Sequence, residues 1–181
     1  MSDDRRVSLL VVRCRLGERE AFHDLVRIWH DPLWRYVRGM VGAPHVADDV
    51  AQETWVAVVR GLPRLREPER FAPWLFTIAR RTVTDHLRQA YRTPETAEEV
   101  TEAVADDSGG LGGVLTTLEI EAGLGGLPPL EREVLILFHL QDLPLADCAD
   151  VLGVPPGTVK SRLHRARRML RDVLVERGYE A

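Results

Sequence analysis

Along most of this chain apolar residues recur at the three- and four-residue intervals of an α-helix, and almost nowhere in the strict alternation of a half-buried strand. Phe22, Leu25, Val26, Trp29, Leu33, Tyr36, Val37 and Met40 form one such stripe. Pro32 interrupts it and predicts a break or kink, because proline has no N–H to return to the preceding turn. A second stripe, Ala47, Val50, Ala51, Thr54, Val58 and Leu62, predicts a helix from about Val46 to Leu62 whose other face carries Asp49, Gln52, Glu53 and Val56. After a turn between Pro63 and Pro68, a third helix starts near Phe71 and directs Trp74, Leu75, Ile78, Ala79 and Val83 inward. Arg81, Thr84, Asp85, Arg88 and Arg92 share its opposite face. The expected fold class is all-α.

The periodicity lapses between Thr93 and Gly126, where acidic residues, Thr and Ala surround the cluster Gly109, Gly110, Gly112 and Gly113. Such composition predicts a flexible acidic linker. It divides the chain into a helical domain over residues 1–92, a linker over 93–126 and a second helical domain over 127–178. In that second domain, Leu145 to Leu152 has room for a short helix. Gly153 supplies the positive φ of a tight turn, and Pro155 or Pro156 suits the first turn of the next helix. This is the outline of a helix-turn-helix. Ala149 is small enough to let the two helices cross closely, and Val159, Leu163, Ala166, Leu170 and Val173 form the inward stripe of the second. Thr158, Lys160, Ser161, Arg162, Arg165 and Arg168 remain outside, a set able to reach phosphates and base edges in a major groove.

Charge sharpens that reading. The formal net charge is −4, which taken alone argues against a nucleic-acid partner, but the average conceals a strong asymmetry. Pro94 to Leu130 holds eight acidic residues and no basic one, whereas Pro156 to Arg177 holds seven basic residues against Asp172 and Glu176. Basic segments set apart in this way point to contact with nucleic acid. Lys160 is the only lysine, so the positive charge is almost all guanidinium, suited to bidentate phosphate and guanine contacts.

Other chemistry is thin. The glycine cluster is not followed by Lys-Ser or Lys-Thr, which excludes a phosphate-binding loop of the usual kind. The six histidines show no HExxH or close pair, and Cys14 and Cys148 are too few and too far apart for a disulfide framework or a CxxC metal site. No nucleophile-base or paired-carboxylate arrangement is recognisable, so neither enzyme, metal nor cofactor is expected. The longest apolar runs, Leu9 to Val12 and Val134 to Phe138, are far short of a membrane span. Asp3 and Asp4 before the first of them do not fit a secretory leader, and a cytoplasmic location is expected. The residues themselves leave three functions open: a promoter-binding initiation factor, a stand-alone helix-turn-helix regulator with an N-terminal regulatory domain, or an enzyme or adaptor with a DNA-binding tail, which would need a substrate pocket in the first 90 residues.

A resemblance favours the first. The stretch GLPPLEREVLILFHLQDLPLADCADVLGVPPGTVKSRLHRARRMLR resembles the C-terminal, −35-reading domain of sigma factors of the extracytoplasmic-function subfamily, with GTVKSRLHRAR its most specific string. AFHDLVRIWHDPLWRYV, ADDVAQETWVAVV and RFAPWLFTIARRTVTDHLR resemble the same family's first domain, in family order. The resemblance implies that Asp48, Asp49, Gln52 and Glu53 contact core RNA polymerase, an acidic patch suited to a basic partner. It implies that the segment from Arg64 to Arg92 reads the −10 element and holds melted DNA, with Arg64, Arg66, Arg70, Trp74, Arg80, Arg81, Thr84 and Arg88 as contacts. Capture of an unstacked base needs apolar walls and positive charge, and both occur there. Trp74 also shares the inward stripe of Ile78. Arg81 stands where the family commonly has asparagine, and His86 where tyrosine is frequent, which leaves the bases read at −10 open. The resemblance further implies an anti-sigma protein as a partner.

Overall fold

The computed structural model describes residues 3–92, 123–176 and 178, and among them the regular structure is entirely helical. Helices α1 (Asp3–Arg15), α2 (Arg19–Val41), α3 (Pro44–Gly61) and α4 (Phe71–Arg92) form the N-terminal half. Helix α5 (Pro129–Leu135), continued by a π-helical turn at Ile136–Leu140, then α6 (Leu145–Leu152) and α7 (Pro156–Glu176) form the C-terminal half. The acid-rich stretch assigned to a linker lies, over residues 93–122, outside the described residues.

Helix α2 runs unbroken through Pro32, where the sequence predicts a break or kink. The lost hydrogen bond is offset by burial on both sides of it: Leu25, Leu33, Tyr36 and Val37 are all fully inaccessible, each contributing about 1.5–3 kcal/mol by leaving water. Its stripe meets the inward faces of α3 and α4 in an aromatic cluster. Trp29 sits edge-on to Phe71 at 5.7 Å and to Phe76 at 6.2 Å, and Tyr36 meets Phe76 at 5.4 Å, within the range that favours edge-to-face pairs. Between α3 and α4 the chain makes two tight turns, Leu62–Arg64 and Pro68–Arg70. Buried Leu62 and Leu65 pin this loop to the bundle. Helix α1 carries no expectation from the pattern above; Val7, Leu10 and Val11 bury it against the same core.

In the C-terminal half, residues 123–126 depart from the linker reading. They form a helical turn in which Leu124 is buried, followed by buried Leu127. Gly123 lies so close to Leu170 and Leu174 that a Cβ there would meet them at 3.0 and 3.3 Å. Helix α6 ends where the glycine predicts: Gly153 is left-handed at φ 65°, and the Val154 N–H returns to the Ala149 carbonyl at 3.1 Å. That closing pair is the Schellman stop of a helix. Pro156 then opens α7, whose Val159, Leu163 and Ala166 are buried while Leu170 and Val173 are half-buried.

The two halves share one hydrophobic core. Helix α4 packs on α6, and α2 packs on α5 and its π-helical turn. Gly39 of α2 allows a close approach: a Cβ there would stand 2.6 Å from Ile136 Cδ1, so the helix faces meet through the missing side chain.

Candidate nucleic-acid and polymerase interface

Helix α6 stops at Gly153 and α7 starts at Pro156; α7 packs on α6 and leaves its outer face open. Lys160, Ser161, Arg165 and Arg168 are exposed, and Thr158 and Arg162 half-buried. Ser161 donates its hydroxyl to the Thr158 carbonyl at 2.9 Å. Lys160, Arg162 and Arg168 have no ion-pair partner among the described residues and are open to an anion. Arg165 is different. Its guanidinium pairs with the carboxylate of Glu131, whose side chain is 3% exposed against 56% for the arginine. That pair ties α7 to α5, so Arg165 holds α7 in place as well as lining its outer face. On the flank, Arg167 donates from Nε to His139 Nε2 at 3.1 Å and lies 5.6 Å over the Phe138 ring. Burial, then the Arg167 charge, lower the His139 pKa.

The segment from Arg64 to Arg88 divides in two. Arg64, Arg66, Arg81 and Arg88 are exposed, Arg88 with its guanidinium 3.8 Å from Asp85, and the Thr84 hydroxyl donates to the Arg80 carbonyl at 2.7 Å. Trp74 is half-buried against the core and tilted at 5.9 Å from Phe71. It also lines a cleft of about 280 Å³ together with Arg66, Arg70 and Thr77, so it serves both as core and as cleft wall. Arg70 and Arg80, by contrast, reach across to the other half. Arg70 Nη1 lies 3.0 Å from Asp147 Oδ1, and its Nη2 pairs with Asp150. The hydrogen bond that Arg70 donates to Asp150 raises the Arg70 pKa; burial, the next effect in size, opposes it, and the Asp147 charge adds to the rise. Arg80 Nε lies 3.0 Å from Glu133 Oε1, an oxygen that also accepts the Tyr36 hydroxyl at 2.8 Å. The Glu133 side chain is 5% exposed. Burial, then the Glu133 charge, push the Tyr36 phenol well above its ordinary value.

On α3, Asp48, Asp49, Gln52 and Glu53 are all exposed on one edge. Asp48 accepts the Trp34 indole N–H at 2.7 Å, which fixes the start of the patch, and Val56 adds an exposed apolar residue one turn on. Sequence reasoning did not single out Glu131, Glu133, Asp147 or Asp150. Signals were present: Glu131 and Glu133 sit beside the apolar run starting at Val134, where a buried carboxylate needs a partner, and Asp147 and Asp150 are i,i+3 on a short, otherwise apolar helix. Among the described residues no cluster suited to a metal ion occurs, and no helix is long and apolar enough to cross a membrane.

Comparison with known proteins gives this arrangement a class. Residues 25–93 match the family model for Sigma-70 region 2, and residues 117–170 that for Sigma-70, region 4, which makes the chain a transcription initiation factor of the sigma-70 type. The chain is 33% identical over 172 residues to the ECF RNA polymerase sigma factor SigC of Mycobacterium tuberculosis, covering 93% of this chain and 91% of the relative. To SigW of Bacillus subtilis it is 31% identical over 182 residues, covering 91% and 94%. Among solved structures, CnrH in complex with the cytosolic domain of CnrY is similar, with a TM-score of 0.70, 27% identity, and coverage of 94% of this chain and 97% of that one. The chain belongs to the extracytoplasmic-function family of RNA polymerase sigma factors.

Proposed function

We propose that this sigma factor divides the promoter between its two basic faces. The α7 face of Thr158, Lys160, Ser161, Arg162, Arg165 and Arg168 reads the −35 element. The loop after α3 and the outer face of α4, through Arg64, Arg66, Arg70, Trp74, Arg80, Arg81, Thr84 and Arg88, hold the −10 element. Asp48, Asp49, Gln52 and Glu53 dock on core polymerase. The observation that carries the reading is the partnerless row Lys160, Arg162 and Arg168 on the helix that follows the Gly153 turn, the geometry with which a second helix enters a major groove.

On this reading, residues 1–92 and 127–178 act as two tethered DNA-binding parts, and tethering lets two weak contacts select one promoter jointly. The protein works by binding, without chemistry of its own, in the cytoplasm where polymerase acts. An anti-sigma protein covering these faces fits the resemblance of this chain to CnrH, solved with the cytosolic domain of CnrY. The test is co-purification with core polymerase followed by run-off transcription from a cognate promoter. Arg162→Ala is expected to cost about 1–3 kcal/mol of −35 discrimination. Failure to bind core refutes the polymerase assignment; unchanged −35 selectivity in Arg162→Ala refutes the groove assignment.

A further inference from the structure

The cations of the α7 face are not alike. Lys160, Arg162 and Arg168 have no ion-pair partner among the described residues, so each must take up its orientation when DNA arrives. Arg165 is oriented beforehand, by a residue that lies outside the face. Its Nη2 donates to Oε1 of Glu131, whose side chain is 3% exposed, while Nε and Nη1 have no partner among the described residues. One edge of the guanidinium fork is therefore held and the other left free. A fork in fixed orientation is what bidentate recognition of a guanine edge needs, and fixing it before binding removes an ordering cost. The anchor is itself fixed. Glu131 lies in the first turn of α5, and the next residue, Arg132, donates from Nη2 to the carbonyls of Gly125 and Leu127 at 2.7 and 3.0 Å. Val134 and Leu135 bury the same short helix. The pair of Arg165 with Glu131 carries no net charge, so what Arg165 brings to DNA is orientation more than attraction to the phosphate backbone.

We propose that Glu131 is a positioning residue for −35 recognition: by holding one edge of the Arg165 guanidinium it makes that arginine a reader of bases instead of one more phosphate contact. Buried under α7, Glu131 acts only through the group it holds. This rests on the assignment of the α7 face to −35 DNA and adds a residue outside that face which sets its base preference.

The test uses the full chain bound to core polymerase. Affinity is measured for a cognate promoter duplex, for duplexes that each alter one base pair of its −35 element, and for one in which that element is scrambled. Glu131→Gln is expected to lose discrimination by about tenfold at the one or two adjacent base pairs that Arg165 faces and to keep it at the others. Its affinity for the scrambled duplex should rise, and should fall more steeply with salt by about one unit of logarithmic slope, because a free guanidinium replaces a neutral pair. Arg165→Lys provides an arm that does not depend on Glu131→Gln folding. It keeps the charge and removes the fork, so it should lose preference at the same base pairs. Adding Glu131→Gln to it should then change discrimination by less than about twofold, since the two residues act as one. An even loss of affinity at every base pair, or additive losses in the double variant, would make Glu131 a purely structural residue and overturn the proposal. Full discrimination in Glu131→Gln or in Arg165→Lys overturns it as well. If Arg162→Ala and Arg165→Ala/Glu131→Gln also discriminate fully, the assignment of the α7 face to −35 DNA falls too.

Discussion

Tyr36 and Glu133 lie 97 residues apart and share a buried hydrogen bond of 2.8 Å. Tyr36→Phe deletes the donor and keeps the ring, whose Phe76 neighbour at 5.4 Å is undisturbed. A hydrogen bond to a charged group contributes about 1.5–3 kcal/mol. Arg80 still serves the same Glu133 oxygen, so the loss belongs at the lower end, about 1.5–2 kcal/mol. Glu133→Gln keeps the shape of the acid, weakens the Arg80 pair and leaves a neutral acceptor for the phenol. Because the substitutions share one contact, the double variant should be less destabilised than the two single costs predict, by about 1 kcal/mol. Urea denaturation of all four proteins at neutral pH, followed by tryptophan fluorescence and by circular dichroism, gives the cycle. A coupling below about 0.3 kcal/mol would refute the contact, and with it the view that the halves are joined by more than apolar packing.

The same phenol sets an alkaline limit. Burial, then the Glu133 charge, hold its folded pKa well above 10, so the unfolded chain ionises first. This contribution is complete below pH 10 and falls above it by up to about 1.4 kcal/mol per pH unit. Tyr36→Phe should flatten that slope in urea melts across the alkaline range, and an unchanged slope would count against it. Gly153→Ala should cost about 1–2 kcal/mol from left-handed strain alone, because a Cβ there meets nothing within 4 Å; a neutral urea midpoint would refute this. Arg165→Ala should lose about 1–3 kcal/mol by leaving the Glu131 carboxylate buried without its partner, and Arg165→Ala with Glu131→Gln should recover part of it. Arg162→Ala should stay within about 0.5 kcal/mol, so equal thermal losses in the two single variants would contradict the pairing. Burial pushes the Cys148 thiol up to about 11, so a disulfide-exchange reagent at mildly alkaline pH should modify Cys14 well before Cys148; matched rates would show that Cys148 is accessible.

Much of the fold was legible because single helices carry their own period. The helix start near Phe71, the Leu145 to Leu152 helix, the Gly153 turn and the inward stripe of α7 depend on neighbours three or four residues away. Pro32 does not end α2, because its local cost competes with packing of Leu33, Tyr36 and Val37 against helices distant in the chain. Gly123 and Gly126 looked like linker because glycine carries no apolar signal; their place is set by Leu170 and Leu174 beside the first and Val173 beside the second. The site was legible as chemistry and not as geometry. Arginines on one face announce an anion, but whether Arg165 meets DNA or Glu131, and whether Arg70 faces solvent or Asp147, depends on contacts spanning 34 and 77 residues. No periodicity reports contacts at that range.

The pairing of Arg70 with Asp147 and Asp150 bears on how ionic strength acts on this molecule. A phosphate that takes Arg70 displaces two carboxylates, so the arginine exchanges one anion for another and the net count of ions released to solvent is smaller than the number of guanidinium contacts formed. Salt weakens the departing pairs along with the arriving one. The fall of DNA affinity with rising salt should therefore be shallower for the isolated chain than its arginines alone would dictate. It should steepen once Asp147 and Asp150 have been neutralised.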